Sequence, residues 1–160
     1  MARIDRETDP EIVLPRDQHS DLHDPKIAYR SMRGAVKHLL DEHPTPTALF
    51  IVIVCYIDAL AGGGGRKKYA EFVGRYFKDL SAEIEPVVFY KKFRCGIVHE
   101  FRLANRGCAI VDEHEIPGKY VHNNLRVTGD PAVYVGLNIV RFAREFLSVL
   151  DRLEREATPG

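Results

Sequence analysis

Arg94, Cys95 and His99 are the residues whose side chains could act together on a phosphate ester, and they share one run, Arg94-Cys95-Gly96-Ile97-Val98-His99. A guanidinium is permanently charged and meets phosphate oxygens with a planar fork of donors, while an imidazole can take or give a proton near neutral pH. The preceding Phe89-Tyr90-Lys91-Lys92-Phe93 adds a phenol and two ammonium groups, so Tyr90 joins Cys95 and Asp58 as a supporting candidate, and Lys91 and Lys92 are weak binding candidates. Five positions on an ideal helix turn through about 140°. One straight helix therefore does not aim Arg94 and His99 at the same phosphate. Either a distorted helix end, for which Gly96 gives latitude, or a second copy of the chain must complete such a site.

The same residues admit other chemistry. Cys95 and His99 are four apart and share a helical face, the arrangement in which an imidazole can activate a thiol. Arg94 could instead pair with Asp58, the one charge inside the apolar run from Ala48 to Ala61. Buried charges are normally paired, and in that case the run is structural. Gly62-Gly63-Gly64-Gly65 precedes Arg66, Lys67 and Lys68. No strand pattern leads into these glycines and no Gly-Lys-Ser/Thr ending follows, so they read as an inter-helix loop, and the three cations as weak binding candidates. His19 with His23, and His114 with His122, are too scattered to predict a metal site, and none is expected.

Prolines and glycine clusters divide the chain into the elements that must position this run. Asp24-Pro25 has the form of an N-cap followed by proline at the first helical position, predicting a helix over about 25 to 42. After Pro44 and Pro46 the apolar run predicts a second over about 46 to 61. Tyr69, Phe72, Val73, Tyr76 and Phe77 recur at three and four, giving a third over about 66 to 79, its aromatic face turned to the core. A fourth, about 82 to 101, carries the Arg94 to His99 run. Short apolar segments separated by Ile116-Pro117-Gly118 predict a β hairpin or three small strands at about 108 to 128. Asp130-Pro131 repeats the cap-and-proline signal ahead of a closing helix over about 131 to 156. The expected fold is mainly α, a bundle of about five helices interrupted by a β excursion.

Composition bounds the function. The chain has 160 residues, 45% of them apolar and 29% charged, as in an ordinary globular domain. It carries 23 basic and 23 acidic residues, which argues against a protein that coats nucleic acid through bulk charge. Residues 1 to 24 hold three Arg against seven acids and read as an acidic, flexible arm, whereas residues 64 to 107 hold ten basic residues against five acids. Residues 25 to 160 are expected to form one helical domain. Cys55, Cys95 and Cys108 include no paired CxxC spacing, which suggests a reducing compartment, and no signal-type leader or membrane-length apolar run is present, so a cytoplasmic location is expected.

Arg94, four intervening residues and His99, on the penultimate long helix of a mainly helical chain, resemble the motif of the HEPN superfamily (higher eukaryotes and prokaryotes nucleotide-binding), an arginine, four to six residues and a histidine. The resemblance covers about residues 25 to 156, and the motif is its specific part. It implies metal-independent RNA cleavage with no cofactor, in a homodimer that brings two copies of the motif together, and admits an antitoxin-like protein partner. His99 would be the acid or base in attack of a ribose 2'-hydroxyl on the adjacent phosphate, and Arg94 would hold that phosphate. Cys95 stands directly after the arginine, where active members commonly carry Asn, Asp or His. The alternative is a catalytically inactive structural, nucleotide-binding or protein-binding module of the same fold.

Overall fold

The computed structural model describes residues 24–42, 45–100, 107–126 and 128–158. The acidic arm expected over residues 1 to 24 lies outside them except for Asp24. Helix α1 spans Pro25–Asp41, with the Asp24 carboxylate accepting the Lys26 amide proton at 2.8 Å, as an N-cap does. Helix α2 spans Pro46–Leu60 and is apolar nearly all round. Such a helix belongs in the interior, and Phe50, Ile53, Val54 and Ile57 are fully buried. Gly62 and Gly63 adopt positive φ, and the chain turns by 101° into α3, Gly65–Tyr76.

The expected third helix is shorter than its aromatic spacing suggested. Phe77, at φ −96° and ψ 81°, ends it, and a separate short helix α4 follows over Lys78–Glu83. The fourth starts at Pro86 rather than near 82, because a residue preceding proline is pushed out of the helical region; Glu85 sits at ψ 130°. From there α5 (Pro86–Phe89), a π-helical turn (Tyr90–Arg94) and α6 (Cys95–Glu100) follow one another directly.

Three strands, β1 (Cys108–Val111), β2 (Val121–Arg126) and β3 (Val133–Asn138), form a sheet in the order β1-β3-β2. Strand β3 pairs parallel with β1 and antiparallel with β2, with an irregularity between His122 and Leu125. The closing helix α7 is therefore Ile139–Glu156 and does not begin at 131. Asp130 caps a turn instead, accepting from the Ala132 amide at 2.8 Å and from the Tyr134 hydroxyl. Residues 133 to 137 read Val-Tyr-Val-Gly-Leu, a β-branched and aromatic run that favours a pleated, half-buried strand.

One aromatic cluster ties the helices together. Phe50 lies 5.6 Å from Phe142 of α7 and 6.2 Å, edge-on, from Phe89, and Phe77 lies 5.8 Å from Phe142. Each buried Phe contributes about 1.5–3 kcal/mol of apolar transfer, so this cluster anchors the helix that carries Arg94. Helix α1 closes one side through Val36 and through Arg33, which reaches Asp151 at 2.8 Å and Glu154 at 2.7 Å on α7. Among the described residues no single helix is long and apolar enough to cross a membrane.

The central strand tolerates little extra volume. A side chain at Gly136 would meet Leu125 at 3.2 Å and Val111 at 3.4 Å, from both neighbouring strands. Gly136→Val is expected to lower stability by about 1–3 kcal/mol through overpacking. A denaturant midpoint unchanged from the parent would refute this.

Candidate functional site

The charged centre of the site is an ion pair between elements distant in sequence. Asp58 lies in the last turn of α2, and Arg94 ends the π-helical turn. The Arg94 Nε donates to Asp58 Oδ2 at 2.9 Å, and Nη2 donates to the same oxygen. The two side chains keep 15% and 27% of their exposure, so the pair is half-buried at the protein surface rather than sealed in the core. The pairing fits the expectation drawn from a single charge within an apolar helix.

The π turn arises where Cys95 N–H reaches back to Tyr90 C=O, one residue further than in an α-helix. An extra residue in the helical ladder re-phases the side chains after it, and such turns recur at functional sites. Here Phe89 and Phe93 stay stacked in the core, 5.6 Å apart, while the Arg94 guanidinium lies over the Tyr90 ring at 5.2 Å from its centroid. A cation held against an aromatic face and hydrogen-bonded along one edge has a fixed orientation.

Burial alone would loosen the guanidinium proton, but the hydrogen bond and charge of Asp58 outweigh it and hold Arg94 more firmly charged than usual. Burial also raises the Tyr90 phenol, against the lowering effect of Arg94, so it stays protonated near neutral pH. The half-buried Cys95 thiol lies close enough to interact with both side chains.

Tyr69 is the residue that sequence spacing did not single out. It was expected in the core, and it is fully buried there, yet its ring packs 5.1 Å from Tyr90 and its hydroxyl has no hydrogen-bond partner among the described residues. Burial, and then the charge of Asp58, push its phenol well above the usual range. No signal in the sequence separates it from the other aromatic residues of α3, because its proximity to Asp58 and Arg94 depends on how α2, α3 and the π turn pack.

The fold thus gathers Asp58, Tyr90, Arg94 and Cys95. His99 belongs to α6 by its backbone, and its side chain lies outside the described residues. Lys91 and Lys92 are exposed on the π turn. Arg66, Lys67 and Lys68 are exposed in the first turn of α3, where the Lys68 stem lies across Gly64, closer than any side chain there would permit. His19 and His23 lie outside the described residues, and among those described no three His, Cys, Asp or Glu side chains cluster as metal ligands would.

This arrangement can present a rigid, charged guanidinium at a surface, backed by a phenol, at the start of the segment that contains His99. No protein-family model, curated protein or solved structure matches the chain.

Proposed function

We propose that this chain is a HEPN-like RNA-handling protein that cleaves phosphodiester bonds without a metal, as a homodimer, using Arg94 and His99. The observation that carries the reading is the Arg94 guanidinium: charged, oriented along one edge by Asp58 and backed by Tyr90, on a π turn that leads into the His99 segment. A fixed cation of this kind suits the charge that builds on phosphate oxygens as phosphorus becomes five-coordinate.

In the proposed reaction a ribose 2'-oxygen bonds to the adjacent phosphorus and the bond to the 5'-oxygen breaks. His99 takes the 2'-hydroxyl proton or supplies one to the departing 5'-oxygen. A single imidazole cannot hold both protonation states at once, and Arg94 and His99 diverge on an ideal helix. A second copy of the motif answers both requirements.

The test is cleavage of an RNA oligonucleotide by the full chain in excess chelator. Cleavage should leave 2',3'-cyclic phosphate ends and fall at least about 100-fold in His99→Ala. Undiminished cleavage by a folded His99→Ala protein would overturn the assignment.

The same ion pair supports a second reading, an inactive structural, nucleotide-binding or protein-binding module, because Asp58 already occupies an edge of the guanidinium. Under that reading the parent protein cleaves no RNA, and Arg94→Ala affects stability alone.

A further inference from the structure

A second cationic feature lies on elements that contribute nothing to the Arg94 cluster. Helix α7 has four arginines and four acids, Arg141, Arg144, Arg152 and Arg155 against Glu145, Asp151, Glu154 and Glu156, and so appears neutral by count. Its charges are sorted by face. Asp151 and Glu154 turn toward Arg33 on α1, while all four arginines line one groove of about 510 Å³, together with Lys78. On a helix of 3.6 residues per turn, the four arginines fall within an arc of roughly 80°.

Two acids, Asp79 and Glu145, line this groove against its five basic residues. The Glu145 carboxylate accepts the amide protons of Asp79 and Leu80, at 2.8 and 3.2 Å, in the first turn of α4. Its charge is thereby spent on the unpaired amides of that helix start. Arg152 pairs with Glu156 at 2.9 Å. Arg144 and Arg155 are exposed and form no ion pair among the described residues.

Tyr120, in the groove wall, keeps 2% of its exposure, and its hydroxyl lies beside the Glu145 carboxylate.

We infer that this groove binds the phosphodiester backbone of single-stranded RNA. The inference rests on the RNA-handling reading and adds where the strand lies. Arg141 and Arg155 are fourteen residues apart, about 21 Å along the helix, which is further than one phosphate group spans but suits a chain of them. Arg75 and Arg152 both lie against the Tyr76 ring, 5.1 and 5.0 Å from its centroid. That ring therefore orders cations instead of offering a bare face to a base, and the groove reads phosphates without regard to sequence.

The test uses a fluorescein-labelled 2'-O-methyl oligouridylate long enough to span the groove, which cannot be cleaved through its 2'-oxygen, titrated into the full chain at several salt concentrations. Arg144→Glu with Arg155→Glu should weaken binding at least about tenfold and reduce the slope of log affinity against log salt by about 1.4, two single-strand phosphate contacts. The exposed pair Lys37→Glu with Arg126→Glu makes the same change in net charge and should leave affinity within about twofold. Equal weakening by both pairs, no binding by the parent, or equally effective competition by uridine monophosphate would each overturn the inference. Cleavage is read separately on ordinary RNA. Parent cleavage with groove variants that bind normally would remove the groove and leave the proposed function standing. Groove-dependent binding without cleavage would do the reverse.

Discussion

Arg94→Ala is expected to reduce RNA cleavage by about 100- to 1,000-fold, the usual loss when one preorganised donor to a developing oxyanion is removed. The fold should survive. Asp58 keeps 27% of its exposure, so water can solvate the carboxylate left behind, and the expected loss of stability is about 1–2 kcal/mol, below that of a sealed pair. Arg94→Lys separates charge from geometry. A lysine ammonium retains the positive charge but cannot reproduce the planar edge through which Nε and Nη2 meet Asp58, so it should restore little activity. Cleavage and thermal unfolding measured on the same preparations check both statements. Wild-type cleavage by folded Arg94→Ala would remove Arg94 from the mechanism. A lowered melting point, with no cleavage even by the parent, would favour the inactive module.

The largest effect on stability is expected at Asn138, which is fully buried at the junction of β3 and α7. Its Oδ1 accepts from the Arg141 amide at 3.1 Å, capping α7. Its Nδ2 donates to Glu113 Oε2 at 2.9 Å and to the Lys119 and Ile116 carbonyls at 3.2 and 3.5 Å, tying the loop between β1 and β2 to the helix start. Asn138→Ala removes the cap and leaves these acceptors unmet, which should cost about 2–4 kcal/mol.

Asn138→Asp is the discriminating variant. Aspartate caps helices as well as asparagine does, but it offers no donor to the carbonyls and brings a second anion toward Glu113. It should therefore remain well below the parent at neutral pH. Parent-like unfolding of Asn138→Asp would show that capping alone matters. A pH signature accompanies the network. The hydrogen bonds from Asn138 and from the Gly118 amide hold the Glu113 carboxyl below its usual range. Because the folded value lies below the unfolded one, that contribution is present above the unfolded value and is lost as pH falls through the folded one. Asn138→Ala should flatten this acid limb of the stability curve.

The helices were legible where local rules act alone. Asp24-Pro25 marks the start of α1, and the apolar run gives α2. Asp130-Pro131 misled because aspartate before proline suits a turn as well as a helix start, and the cap lies eight residues later at Asn138, after a strand. The strand order β1-β3-β2 was not legible, since a parallel pairing between β1 and β3 joins segments more than twenty residues apart. The third helix ran long in the sequence because Phe77 continues the aromatic spacing. Its side chain does enter the core, but its backbone leaves the helix to do so.

By itself the sequence determined a mainly helical chain, a run with the chemistry for a phosphate ester, and Asp58 as the carboxylate to suspect beside Arg94, because periodicity and the cost of an unpaired buried charge are local constraints. Tertiary structure decided the π turn that aims Arg94 across Tyr90, the presence of Tyr69 beside the pair, and the separation of acidic and basic faces on α7. These depend on which surfaces meet in space: a residue count gives α7 no net charge, and only packing against α1 on one side and a groove on the other makes it a cationic surface.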